Sequence, residues 1–403
     1  MRQAADPIES EAAPGARAGT TAPCILQVLP ALDEGGVERG TLDVARYLMR
    51  QGWRALVASS GGAGEAELEA VGATHLRLPL HSKNPITIRA NVARLERLMR
   101  EHGVQLVHAR SRAPAWSVCY AARRCKVPFV TTFHGVYQGS DSLLKRRYNA
   151  IMARGDRVIA ISDYVARHVR ERYGVPPERL RTIHRGVDLE TFEPRAVGPE
   201  RVAALANLWQ VPPGTRLLML PARFARRKGH LLLVEAIRRM ARRDFVCLLV
   251  GLADRTTGYT SEVEARIDAA SLNGIVRLVG GCRDMPAAYA LADVVVAPSI
   301  EPEPFGRVAI EAQAMGRPVV AADIGGLGET VMPAATGWLV PPNDARALAD
   351  ALDLALAMPE DSRARLAERA RRFVERSFSL ERMGKATLAV YRELLDARPP
   401  APT

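Results

Sequence analysis

Short runs of apolar residues alternate along this chain with longer stretches in which apolar positions recur every three or four residues. The short runs predict buried strands and the longer ones amphipathic helices. In the first half the strand-like runs fall at 25–30, 54–59, 74–80, 106–110, 128–134, 157–162 and 180–184, with helices at 37–50, 86–102 and 164–173 among those between them. In the second half they fall at 216–221, 245–251, 276–280, 293–298, 318–323 and 338–340, again separated by helices. Strands rich in Val, Ile and Leu, each followed by a helix, predict an α/β chain with parallel sheets covered on both faces.

Pro194, Gly198 and Pro199 punctuate the pattern within 186–211, which places a domain boundary there. We read 1–21 as a disordered leader, 22–195 as one Rossmann-like domain, 196–378 as a second, 379–397 as a closing helix and 398–403 as a frayed tail. The two domains are expected to face each other across a cleft, with ligands at the carboxyl ends of the strands.

Composition narrows the class. A chain of 403 residues, 48% hydrophobic and 25% charged, suits two soluble domains of ordinary size. No apolar run approaches the ~20 residues that span a bilayer, and 1–21 lacks the apolar core of a signal peptide. Cys24, Cys119, Cys125, Cys247 and Cys282 form no C-x-x-C, so neither a disulfide framework nor a zinc site is expected, and a reducing cytoplasm fits. The net charge of +12 is concentrated: residues 81–170 hold 17 Lys and Arg against 5 Asp and Glu. This half either faces an anionic lipid surface or a phosphorylated acceptor, or is an Arg-rich solvated surface. With 5% aromatic residues and no recognition module, nucleic acid is not an expected partner.

The most informative stretch is Pro298-Ser299-Ile300-Glu301-Pro302-Glu303-Pro304-Phe305-Gly306-Arg307-Val308-Ala309-Ile310-Glu311-Ala312. It follows a strand and opens a helix that Gly316 and Pro318 stop. Glu303 is then on the loop and Glu311 within the helix. Carboxylates accept from sugar hydroxyls. The helix start at Phe305 and Gly306 offers unpaired N–H groups to a phosphate. That is equipment for a nucleotide sugar.

The stretch resembles the E-x7-E motif of retaining glycosyltransferases with the GT-B fold, the family-four (group 1) type in particular. The resemblance covers about residues 24 to 395 and implies that Glu303 meets the donor sugar and Glu311 the ribose. Arg223 and Lys228, in Pro221-Ala222-Arg223-Phe224-Ala225-Arg226-Arg227-Lys228-Gly229, match the family's Arg and Lys-Gly and would neutralise the diphosphate. Arg226 and Arg227 are expected on the surface. Gly35 and Gly36 are similar to the family's first-domain loop near the donor phosphate, although turn chemistry also explains adjacent glycines. His134, at the end of Thr131-Thr132-Phe133-His134-Gly135, sits where the family has a donor-sugar contact; it would orient the sugar or stabilise charge rather than act as a general base. Arg283 and Met285 lie on a loop that in the family wraps base and ribose, and Gly251-Leu252-Ala253-Asp254 on another that is less glycine-rich than usual. Gly325-Gly326-Leu327-Gly328-Glu329 reads as a turn lining the cleft. The family also sends its last helix back to the first domain.

Three features stand apart. Arg112 and Trp116 either read the acceptor or belong to a helix cap and its packing. Ile183-His184-Arg185-Gly186-Val187-Asp188 resembles the family's N-G-V-D turn with Arg185 in place of Asn, a departure expected to lie away from the donor carboxylates. Ser60-Gly61-Gly62-Ala63-Gly64-Glu65 imitates a dinucleotide fingerprint but lacks its third glycine, so NAD is not expected. No D-x-D follows a strand, so no metal is expected either.

The expectation is therefore a retaining, nucleotide-sugar-dependent glycosyltransferase without a further cofactor. Its acceptor would be a lipid-linked or envelope glycan, such as lipopolysaccharide core, met by a cytoplasmic enzyme peripheral at the membrane. A nucleotide-sugar epimerase or phosphorylase on this fold, or a non-catalytic nucleotide-sugar-binding protein, remains the alternative.

Overall fold

The computed structural model describes residues 22–33, 35–137, 142–252 and 258–397. The expected leader and tail, and Ala253 and Asp254 of one expected loop, lie outside the described residues.

Seven strands form the first sheet: β1 (Cys24–Val28), β2 (Arg54–Ser59), β3 (Thr74–Arg77), β4 (Leu106–Ala109), β5 (Phe129–Phe133), β6 (Arg157–Ala160) and β7 (Leu180–Thr182). Six form the second: β8 (Arg216–Pro221), β9 (Phe245–Val250), β10 (Val276–Gly280), β11 (Val294–Ala297), β12 (Val319–Ala322) and β13 (Gly337–Val340). Every pairing between them is parallel, in the orders β3-β2-β1-β4-β5-β6-β7 and β10-β9-β8-β11-β12-β13. The apolar runs become central strands because both faces are covered; all six residues of β9 are buried. Some strands stop short of the sequence reading. Expected runs 293–298 and 318–323 lose Pro298 and Pro318, which have no N–H to give a ladder.

The order of strands reverses between β1 and β4 in one sheet and between β8 and β11 in the other. Such switch points open a crevice at the carboxyl ends of the flanking strands.

The helix Leu380–Asp396 returns to the first sheet. Leu380, Met383, Leu388 and Tyr391 share a core with Ile25 and Leu106, and the Tyr391 hydroxyl lies 2.6 Å from His108 Nδ1. The two crossings between the domains lie side by side. Val187 N donates to Phe378 O at 2.8 Å and Leu380 N donates to Val187 O at 2.9 Å. Gly186 fits so closely there that a Cβ would sit 2.7 Å from Leu380 Cα. Phe305 and Ile310, which follow β11, belong to the same apolar cluster as first-sheet residues such as Val107 and Phe133, so the domains also meet through side-chain packing.

Candidate functional site

A cavity of about 410 Å³ lies where the two switch points face each other, within the size range of ligand pockets. The second-domain wall is built from the loops after β8 and β11, which touch. Gly229 takes φ 76°, and a Cβ there would lie 1.9 Å from Pro298 O. Arg227 O accepts from Ile300 N at 2.9 Å. This contact delivers the tight turn Arg226–Lys228 to the cleft. Lys228 Nζ is 2.5 Å from Glu303 Oε1, and the Ser299 hydroxyl donates to the same oxygen at 2.7 Å. Burial pushes the Glu303 carboxyl up, but Lys228 and Ser299 outweigh it and hold it below its usual range. Burial, helped by Arg227 and Arg223, pushes Lys228 down against the pull of Glu303. Glu303 is thus an ionised carboxylate whose one oxygen is occupied.

Arg227 corrects the sequence reading. It lines the cavity and reaches Glu303 Oε1 at 3.5 Å, because the turn aims it inward. Arg226 does face solvent, paired with Glu262. Arg223 lines the cavity and has no ion-pair partner among the described residues.

Gly306 opens the helix Arg307–Ala314 with φ 130°, where a Cβ would lie 2.8 Å from Leu327 Cδ2 and 3.0 Å from Thr330 Oγ1. Glycine alone suits that conformation in that space. Phe305 borders the cavity but packs its ring against His184 and Phe378.

On the first-domain wall, Gly36, His134 and Arg185 line the cavity. His134 Nδ1 lies 2.9 Å from Arg185 Nη2. A guanidinium only donates, so Nδ1 accepts and the ring proton is on Nε2. Nε2 is shielded and has no partner. Burial first, then Arg185 and Arg110, hold the ring well below the usual histidine range. His134 is a neutral donor.

Arg185 is a second correction. The departure from N-G-V-D does not lie away from the donor carboxylates: the seating of Gly186 against Leu380 turns Arg185 into the cavity that Glu303 also lines. The guanidinium donates to Gly36 O as well. Beside it lies Arg110, at the end of β4. A Cβ on Gly40 would be 1.5 Å from Arg185 Nη1 and 3.0 Å from Arg110 Nη2. The two guanidinium groups therefore share the face of one helix glycine. Burial, then Arg110 and Arg307, push Arg185 down to about 9, with Asp43 opposing.

Other expected site residues do not line this cavity. Glu311 is buried, with Oε2 accepting from the Tyr289 hydroxyl at 3.0 Å and Oε1 from Arg307 at 2.7 Å. Arg283 is exposed and Met285 half-buried against the second core. Gly35 is exposed, with an extended φ of 170° that any residue adopts. Arg112 holds Asn149 Oδ1 at 3.0 Å and stacks 4.0 Å over the Tyr137 ring. Trp116 borders a different cavity, of about 620 Å³, with Tyr120, Tyr148, Lys83 and Arg89. That cavity is larger but holds no cluster of converging charged pairs.

The fingerprint-like loop is spent on structure. Leu32 N donates to Gly61 O, and Gly64 N to Leu32 O, each at 2.8 Å. Glu329 spans the cleft: its carboxylate accepts from Asp163 N at 2.8 Å and Tyr164 N at 2.6 Å and meets His184 Nε2 at 3.1 Å. Asp163, His184 and Glu329 are the one group of potential metal ligands that comes together among the described residues, and Glu329 already caps the helix Asp163–Tyr173. Ser162, in the first domain, donates its hydroxyl to Pro304 O at 2.6 Å.

Comparison with known proteins bears on the family and the fold. Residues 34–191 match the family described as Glycosyltransferase Family 4, and residues 207–373 match Glycosyl transferases group 1. A D-inositol 3-phosphate glycosyltransferase of Xylanimonas cellulosilytica is 32% identical over 332 residues, 77% of each chain. A solved glycosyltransferase of Rickettsia africae is 38% identical, with a TM-score of 0.88 over 94% of this chain and 100% of that one. Anabaena Alr3699/HepE, solved with UDP-glucose, shares the fold at 24% identity, with a TM-score of 0.79 over 92% and 99%. With both halves matched and the two sheets facing one cleft, this chain belongs to the group 1, family 4 glycosyltransferases of GT-B fold.

Proposed function

We propose that the protein is a retaining glycosyltransferase that moves a sugar from a nucleoside-diphosphate sugar to a hydroxyl of a lipid-linked or envelope glycan, such as lipopolysaccharide core. The reading rests on one observation: the Glu303–Lys228–Arg223 wall and His134 line the same cavity. Residues 196–378 would hold the donor and 22–195 the acceptor. The free oxygen of Glu303 accepts from sugar hydroxyls. Arg223 and Lys228, with the helix start at Gly306, meet charge that grows on the diphosphate as it leaves. His134 Nε2–H, shielded in this structure, would donate to the sugar once closure of the cleft uncovers it. Glu311 would reach the ribose only after Arg307 releases it.

Retention is supported by the distribution of carboxylates. Glu303 is the one carboxylate among the described residues that line the cavity, and Lys228 and Ser299 hold it. The first-domain wall offers no carboxylate nucleophile there, which suits attack on the face that the diphosphate leaves.

A membrane-borne acceptor is supported by the surface of the first domain. Leu143 and Leu144 are each 80% exposed and precede Lys145, Arg146 and Arg147, which are also exposed. Among the described residues no helix is long and apolar enough to cross a membrane. Apolar side chains set among cations suit docking on anionic lipid.

Calorimetric titration with GDP, UDP and ADP tests the donor site. One nucleotide should bind, and Lys228→Ala should weaken it at least tenfold. Binding of none would overturn the reading. The anomeric configuration of the product, read by proton NMR, tests retention.

A further inference from the structure

The cleft carries more positive charge on its first-domain wall than the protein neutralises. Arg185 is 6% exposed and Arg110 4%. Neither has a carboxylate within ion-pair distance among the described residues. Arg185 uses Nη2 on two neutral acceptors, Gly36 O and His134 Nδ1. Arg110 Nε is buried with no partner. Of the two carboxylates that act on Arg185, Asp43 is engaged by Arg39 at 2.9 Å and Glu38 forms no ion pair with it. Arg307, which also lines the cavity, is paired with Glu311.

Two buried guanidinium groups side by side repel each other and lose hydration, a cost that proteins tolerate where an anion relieves it. Guanidinium groups do not give up their protons in proteins, so the downward push on Arg185 expresses lost hydration first and then repulsion from Arg110 and Arg307. The fold makes room for this arrangement. Gly40 lies inside the helix Gly36–Arg50, where glycine costs about 1 kcal/mol relative to alanine, and any larger residue would strike Arg185 Nη1. Arg110 directly follows β4, so the pair sits at the switch point of the first sheet.

We propose that Arg185, with Arg110 buried beside it as a second positive charge, forms on the first-domain wall a binding site for a phosphate-class anion carried by the acceptor. This rests on the glycosyltransferase reading given above and deepens it: the acceptor presents its hydroxyl next to a negative group. The diphosphate of the donor is the other possible source of that chemistry. The opposite wall already supplies Arg223, Arg227 and Lys228 for it, which favours the acceptor.

The probe is inorganic phosphate, titrated by calorimetry into protein saturated with whichever nucleoside diphosphate binds. Phosphate should bind alongside the nucleotide. Arg185→Gln should weaken phosphate at least tenfold and leave the nucleotide Kd within twofold, and Arg185→Lys should keep part of the phosphate affinity. A wild-type protein that binds nucleotide but no phosphate overturns the inference without any variant. Arg185→Gln weakening nucleotide as much as phosphate also overturns it, by giving the cluster to the donor. A wild-type protein that binds no nucleotide brings down the underlying reading instead.

Discussion

Glu303 Oε1 and Lys228 Nζ lie 2.5 Å apart across two loops from opposite sides of a sheet switch point. Both side chains are largely buried, so each depends on the other for its charge. Glu303→Gln leaves Lys228 buried and unpaired and should lower stability by up to about 3 kcal/mol at pH 7. The sign of the pH effect follows from the carboxyl being held below its usual range. Its contribution is present above the unfolded pKa and is lost as pH falls through the lower, folded one. Urea unfolding from pH 7 down to pH 3 should show the gap between wild type and Glu303→Gln closing in the acid range.

His134 should keep its Nε2–H tautomer at neutral pH and above. Burial and two arginines disfavour its charged form, so no protonation of this ring should appear between pH 6 and 8. Nitrogen-15 NMR of the labelled ring reads this directly. A ring that titrates near its ordinary value would contradict the donor role. His134→Ala should cut transfer about 100-fold, as loss of a polar group acting at the transition state does.

Gly306→Ala tests the helix start. The residue would need φ 130° and would press its methyl to within 2.8 Å of Leu327. We expect a loss of about 1–3 kcal/mol, with weaker nucleotide binding because the N–H groups of the helix shift. Thermal unfolding and calorimetry should both register it.

Glu329→Ala removes a helix cap that is supplied from the other domain. The helix Asp163–Tyr173 loses two bonds to its first N–H groups, and about 1–2 kcal/mol should go with them. The nucleotide-free protein should also open, with a larger radius of gyration in small-angle scattering. An unchanged radius would show that Ser162–Pro304 and the Phe305 packing hold the domains without Glu329.

How far the site was legible follows from where each residue sits. His134, Arg223, Lys228, Glu303 and Gly306 all follow the carboxyl end of a strand, and strand ends are visible as breaks in apolar runs. The expected run 216–221 coincides with β8, an apolar core that Arg216 opens and Pro221 closes. Arg185 and Arg227 were misplaced. Their direction is set by contacts distant in sequence: Gly186 against Leu380 for one, Arg227 O with Ile300 N for the other. A signal for the first did exist. Gly40 interrupts a good helix, and a glycine inside a helix commonly marks something packed against its backbone. The sequence around Glu329 predicts a cleft-lining turn, but nothing near it announces the helix it caps 165 residues earlier.

The paired crossings at Val187 and Phe378–Leu380 bear on how this enzyme can move. A single linker would let one domain swivel about any of its backbone bonds. Two segments bonded to each other cannot twist independently, so rotation about the line joining the domains is suppressed. What remains is bending across the pair, like a door on two pins. Closure on a substrate would then follow one fixed arc and bring the same residues of the two walls together at every turnover.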